Sequence, residues 1–144
     1  VQTFLPVQDF KESAKILDKR RAWQQVIEAN PIIGAIIGIN KLSKNQPAVR
    51  MWNGYLNALR VYYNTFLEHC INFHKIKVVK LQPVELSPIA LIQLPPWIGY
   101  EPFHASHRSN LLRKNQEYYK QFGWLEPDNL PYIWPVDKEG KLCI

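Results

Sequence analysis

Apolar residues recur at helical spacing through most of the first half of the chain. Phe10, Ala14, Leu17, Val26 and Ile27 fit one helix over roughly 10–29. Asp9, followed by Glu12, supplies an acidic cap for the free N–H groups of its first turn. Asn30-Pro31 marks a stop and a restart, because proline is tolerated at a first helical position. Ile32, Ile33, Ile36 and Ile37 then predict a short buried helix. After the polar loop "GINKLSKNQ", Pro47 opens the clearest pattern. Val49, Trp52, Leu56, Leu59, Tyr63, Phe66 and Cys70 fall at alternating steps of three and four, one apolar stripe that predicts a long helix over 47–74. Such a stripe is core. "KIKVVKLQPVELSP" has room for a short strand or helix, limited by Pro83 and Pro88, and "LPPWIGYEP" reads as a rigid loop. A third long helix is expected from His104 to about Lys120. The tail "GWLEPDNLPYIWPVDKEGKLCI" is aromatic and proline-rich, and is expected to wrap the helices as ordered loop. With no repeat, low-complexity tract or linker, residues 1–144 read as a single compact all-α domain of three principal helices with long ordered connections.

Composition narrows the partners. The chain has 144 residues, 47% hydrophobic and 21% charged, which suits one globular domain with a real core. Its longest apolar run, "PIIGAIIGI", falls well short of the ~20 residues of a membrane span. Nothing reads as a secretory signal, so no membrane partner and an intracellular location, with a virion as a variant of it, are expected. Cys70 and Cys143 have no metal or redox spacing. The net charge of +6 and pI of about 9.4 make nucleic acid the leading partner class, against a merely solvated basic surface.

Candidate chemistry lies in three places. The chain opens on Val1, a residue small enough to follow removal of an initiator Met, so a free α-amine is expected there. Residues 1–8, if extended, cover ~26 Å at ~3.3 Å per residue. A helix doubling back beside them brings Val1 near residues 20–28, where Arg21, Gln24, Gln25 and Glu28 share one face as a polar wall. Alternatively, that face is simply solvated. Secondly, His104, His107, Arg108, Arg113 and Lys114 sit on the third helix, with Ser106 and Ser109 among them. They are expected either to clamp phosphates or to form a capped helix with a basic face. No metal site is expected, since no third ligand accompanies His104 and His107, and His69, Cys70 and His74 lie on another helix. Thirdly, Arg50 either reaches phosphates or pins the core helices. Among the aromatic residues of the tail, Trp124 is the candidate to stack on a base or wedge a duplex, whereas Trp134, between prolines, reads as structural.

Six stretches together, "TFLPVQDF", "ILDKRR", "PAVRMWNGY", "PPWIGYE", "HASHRSNLLRK" and "LPYIWP", resemble the small pyrimidine-dimer DNA glycosylase/AP-lyase family of phages, large DNA viruses and bacteria. The likeness runs across nearly the whole chain and is strongest to the bacterial-type branch. It implies an all-α domain acting on damaged double-stranded DNA, no cofactor, and a nucleophile that is the N-terminal α-amine, here that of Val1; a small monomer suits such chemistry. An α-amine suits the task because it ordinarily titrates at about 7.7–8.0 rather than the ~10.4 of lysine. It would attack the sugar C1′, expel the base and form a Schiff base, after which β-elimination breaks the 3′ phosphate bond. The resemblance also implies a carboxylate near the amine. Glu28 fits the bacterial-type pattern and Asp18 is its rival, with Arg20, Arg21 and Gln25 as DNA-contacting neighbours. The sequence departs from that pattern at Trp23, Gln24 and Val26, where Gly, Lys and Arg are usual, and at Gln46, where His is common. A DNA-binding protein without catalysis is therefore the second expectation, and borohydride trapping on abasic DNA separates the two.

Overall fold

The computed structural model describes residues 1–78, 81–86 and 92–144. Among them six α-helices follow in order: α1 (Phe10–Ile16), α2 (Lys19–Ile37), α3 (Pro47–Trp52), α4 (Leu56–Asn72), α5 (Glu101–Lys114) and α6 (Gln116–Tyr119), with a 3-10 turn at Lys120–Phe122. No strand occurs among the described residues, only an isolated bridge between Val136 and Leu142. The fold class is all-α, as the apolar spacing predicts. Of "KIKVVKLQPVELSP", residues 75–78 and 81–86 form neither helix nor strand, and the rest lies outside the described residues.

Each long helix differs from its expected bounds for a physical reason. Asp9 does cap α1, its carboxylate accepting from the Glu12 N–H at 2.8 Å. The helix then breaks at Leu17 and Asp18, both in extended backbone, which buries Leu17 and lets α1 and α2 pack separately on α4. Pro31, expected to stop the helix, sits inside α2 instead. An interior proline costs about 3 kcal/mol, but the face formed by Ala22, Val26, Ala29, Ile32, Ile33 and Ala35 stays buried across it. Burying the isoleucines alone returns about 1.5–3 kcal/mol each. α2 ends at Gly38, whose φ of +82° makes the turn that few side chains adopt.

The stripe expected as one helix over 47–74 is divided between α3 and α4. Asn53 is extended and Gly54 adopts φ +91°, which ends α3 at Trp52. Trp52 then meets Trp97 edge-on at 4.8 Å and donates its Nε1–H to Thr3 Oγ1 at 2.9 Å. On α4, Leu59, Tyr63, Phe66 and Cys70 are buried as expected, together with Tyr62.

The third helix starts earlier than expected, at Glu101, and its last turns are a separate α6 and 3-10 turn. Its burial is unusual for its composition: His104, Ser106, His107, Arg108, Ser109 and Asn110 are all buried. Buried polar groups require partners, and the irregular tail provides them. Ser109 Oγ donates to the Pro127 carbonyl at 2.5 Å and accepts from the Leu130 N–H at 2.9 Å. Ser106 Oγ accepts from the Ile133 N–H at 3.2 Å, and Asn110 donates to the Leu130 carbonyl at 3.1 Å. The polar helix thus satisfies the backbone of the loop around it.

Candidate active site

The site begins with the way residues 2–6 are held. This segment is buried without belonging to a helix, so its backbone groups need side-chain partners. The Gln2 N–H donates to Glu28 Oε2 at 3.0 Å, and the Phe4 N–H to Gln25 Oε1 at 2.8 Å. Residue 2 therefore lies at Glu28 and residue 4 at Gln25, antiparallel to α2. From the other side α5 grips Leu5. His107 Nδ1 accepts from the Leu5 N–H at 2.9 Å, and His104 Nδ1 donates to the Leu5 carbonyl at 2.8 Å. Tyr62 donates to the Phe4 carbonyl at 2.9 Å and Arg108 to the Pro6 carbonyl at 2.7 Å.

Val1, the first residue of this segment, is half exposed and lines a cleft of about 430 Å³. Gln2, Phe4, Arg20, Arg21, Gln24, Gln25, Glu28, Lys114, Tyr132 and Trp134 line the rest. Glu28 is the only carboxylate among them, and its second oxygen accepts from Gln24 Nε2 at 3.3 Å. Arg20 and Lys114 make no side-chain hydrogen bond or ion pair among the described residues, so two uncommitted cations face the cleft. Arg21 spends part of its charge on Asp18, 3.3 Å away.

Asp18, the rival carboxylate, does not line this cleft. It is engaged by Arg21 and by the Tyr119 hydroxyl, whose pKa burial and this bond push up. Gln25, expected to contact DNA, is buried with its amide committed to Phe4, to Tyr62 and to the Arg21 carbonyl. Its place in the structure is under the segment that carries Val1.

The expected basic face on the third helix is corrected more strongly. His104, His107 and Arg108 do not form a solvent-facing surface. Burial drives the His107 pKa down to about 3, and also lowers that of His104 despite its bond to Leu5. Both imidazoles are neutral at neutral pH and cannot carry charge to a phosphate. Their bonds also assign the tautomers, since His107 Nδ1 and His104 Nε2 each accept from a backbone N–H, the second from Gly99 at 2.9 Å. Arg108 pairs with Glu126 at 2.5 Å and with Glu101. Of the five residues, only Arg113 and Lys114 are exposed, and Arg113 is tied to the Asp128 carbonyl and Asn110.

Arg50 lies apart from the cleft, donating to the Asn45 carbonyl beside a small pocket of about 90 Å³. Trp124 stacks on Tyr119 and Phe122 rather than standing free. Tyr132 and Trp134 line the cleft, a place the reading of Trp134 as a residue that holds the tail does not give it. Their spacing in "LPYIWP" held the signal, because residues i and i+2 of an extended segment share a face. Of the departures at Trp23, Gln24 and Val26, only Gln24 lines the cleft, and Val26 is wholly buried. Gln46 occupies the N-cap position of α3 but makes no side-chain cap bond there. Among the described residues no group of three or more His, Cys, Asp or Glu could hold a metal ion, and no helix is long and apolar enough to cross a membrane.

No curated protein and no solved structure shows a significant match to the chain. A family model described as pyrimidine dimer DNA glycosylase matches residues 1–72, half of the 144. That stretch contains the clamped N-terminal segment, α2 with Glu28, and the packing partners in α3 and α4. The chain belongs to the pyrimidine dimer DNA glycosylase family.

Proposed function

We propose that this protein is a DNA N-glycosylase with AP-lyase activity on damaged pyrimidines in duplex DNA, pyrimidine dimers first among them, and that the α-amine of a chain beginning at Val1 is its nucleophile. The observation that carries the reading is the bond from the Gln2 N–H to Glu28, which sets a carboxylate one residue from that amine in an open cationic cleft. As the C1′–N bond breaks, its electron pair goes to the base nitrogen, which takes up a proton; in a pyrimidine dimer the detached base stays joined to its neighbour. The amine lone pair forms the new bond to C1′. Glu28 stabilises the positive charge on the sugar as it develops. Ring opening gives the Schiff base. Loss of a C2′ proton then expels the 3′ phosphate oxygen with the electrons of its bond to carbon. Arg20 and Lys114 are suited to the DNA backbone, because their charges are uncommitted. Tyr132 and Trp134 offer flat apolar faces to an exposed base.

Incubation with abasic duplex followed by borohydride yields a covalent protein–DNA adduct under this reading. Acetylation of the Val1 amine abolishes the adduct and strand cleavage while DNA binding persists. A blocked protein that cleaves at the normal rate would falsify the amine as nucleophile and direct the search to lysine. A wild-type protein that binds damaged duplex but never traps would support binding without catalysis.

A further inference from the structure

We infer that the Tyr132 hydroxyl is a catalytic hydrogen-bond donor to the pyrimidine as its bond to C1′ breaks, a role that rests on the glycosylase reading above and deepens it. Breaking that bond separates charge, leaving the sugar positive and the base negative. Glu28 stabilises the positive side. The negative side needs a donor of its own, placed before the charge develops. Once the electron pair has gone to N1, that charge is shared with the adjacent carbonyl oxygen O2, which is the atom for a donor to meet.

The polar groups of the cleft narrow the choice. Gln24 donates to Glu28, and Gln25 is committed to the Phe4 N–H and the Arg21 carbonyl. Gln2 turns its amide oxygen to the Thr3 N–H, and its amide nitrogen is buried. Arg21 pairs with Asp18, and Arg20 and Lys114 carry the full charges that suit phosphates. Tyr132 lines the same cleft, is only half-buried, and makes no hydrogen bond through its hydroxyl among the described residues. Its ring is held on three sides. It lies 6.1 Å from Phe4 with planes at 57°, 5.9 Å from His107 edge-on at 84°, and 5.8 Å from Trp134 at 57°. Phe4 and His107 also belong to the clamp on the segment that carries Val1. The contacts that position the nucleophile therefore position the hydroxyl as well. Arg113, Glu28 and Arg21 are close enough for their charges to act on it. Burial is the largest influence on its pKa and raises it, so the hydroxyl keeps its proton at neutral pH. Tyr132 thus donates a hydrogen bond without surrendering the proton. The proton that the base finally takes up is balanced by the one the Val1 amine loses on bonding to C1′.

The test is Tyr132→Phe, which keeps the ring and its packing and removes only the hydroxyl. Two DNAs are compared: a duplex with one pyrimidine dimer, and the same duplex with a preformed abasic site, from which no base has to be detached. Single-turnover glycosidic-bond cleavage on the first is read as alkali-labile strand breaks, and Schiff-base formation on the second as the rate of borohydride trapping. Cleavage on the dimer duplex is expected to slow by about ten- to a hundredfold, at the lower end of the usual cost of one lost donor to developing negative charge. Trapping on the abasic duplex should slow by no more than a few-fold, and the ratio of the two rates is the readout. The melting temperature should stay at the wild-type value, since the hydroxyl has no partner to lose. Tyr132→Phe that cleaves the dimer duplex at the wild-type rate would overturn this role and leave the glycosylase reading standing. Equal slowing on both DNAs would also overturn it, because the hydroxyl would then act on the amine or its segment rather than on the base. A wild-type protein that neither cleaves the dimer duplex nor traps on the abasic one would overturn the glycosylase reading itself, and the role of Tyr132 with it.

Discussion

At the scale of single residues, the two candidate carboxylates are separated by what already holds them. Glu28 has one oxygen on the Gln2 N–H and the other on Gln24, and faces the cleft. Asp18 is tied to Arg21 and Tyr119 outside it. Glu28→Gln retains an amide oxygen for the Gln2 N–H, so the segment stays in place and only the charge is lost. Glycosidic-bond cleavage is expected to slow by about a hundred- to thousand-fold, the usual worth of one preorganised electrostatic group. Asp18→Asn should instead lower the melting temperature and leave glycosidic-bond cleavage within a few-fold of wild type. The measurement is single-turnover glycosidic-bond cleavage, read as alkali-labile strand breaks, beside thermal melts of both variants. A dead Asp18→Asn with an active Glu28→Gln would reverse the assignment. The sequence could name both residues, but not choose between them, because the choice depends on Tyr119, a hundred positions away in the chain.

At the scale of elements, α5 shows why pattern alone misplaces a helix. "HASHRSNLL" reads as a polar, basic surface, since nothing in its periodicity says that two irregular segments will cover it. Those segments have backbone groups that no ladder satisfies, and the polar side chains of α5 serve as their partners. The same reasoning explains α3 and α4. Their stripe of three and four is continuous, but Gly54 and the burial of Trp52 against Thr3 divide it. A pH dependence follows from α5. Protonating His107 would put a proton on Nδ1 facing the Leu5 N–H. Its folded pKa, about 3, lies below the ordinary 6.5. The unfolded chain therefore binds the proton first, and its stabilising neutral form is fully present above 6.5 and lost as pH falls toward 3. His104 shifts in the same direction. A gap of that size corresponds to a loss of up to about 5 kcal/mol from His107. Urea unfolding at stepped pH from 7 to 4 should show the decline. In His107→Gln, which keeps an acceptor but cannot titrate, the decline should be shallower. An equal slope in both would remove His107 as its source.

At the scale of the whole molecule, the all-α class and most of the core were legible because apolar periodicity is a local property. The cleft was legible in part: Val1, Arg20, Arg21, Gln24 and Glu28 line it, in keeping with residues 1–8 doubling back beside α2, whereas Lys114, expected on a separate helix face, and Trp134, expected only to hold the tail, line it too, and Gln25, His104, His107 and Arg108 are buried. Charge has to be sorted in the same way. The net +6 of the chain does not say which cations meet DNA. Arg108 is neutralised by Glu101 and Glu126 inside the fold, whereas Arg20 and Lys114 flank the cleft without partners among the described residues. Each phosphate contact contributes about 0.9 to the slope of log affinity against log salt on duplex DNA. Arg20→Ala together with Lys114→Ala should therefore flatten that slope by about 1.8. The loss should be equal on damaged and undamaged duplexes, because phosphates carry no sequence information. Arg108→Ala should behave differently. It leaves Glu126 and the Pro6 carbonyl without their partner, so it should lower the melting temperature and, at a temperature where it is folded, keep the wild-type slope. The measurement is a salt titration of all three proteins on both duplexes. An unchanged slope in the double variant would place the backbone-binding surface away from the cleft. A slope reduced only on damaged DNA would assign Arg20 and Lys114 to the lesion itself.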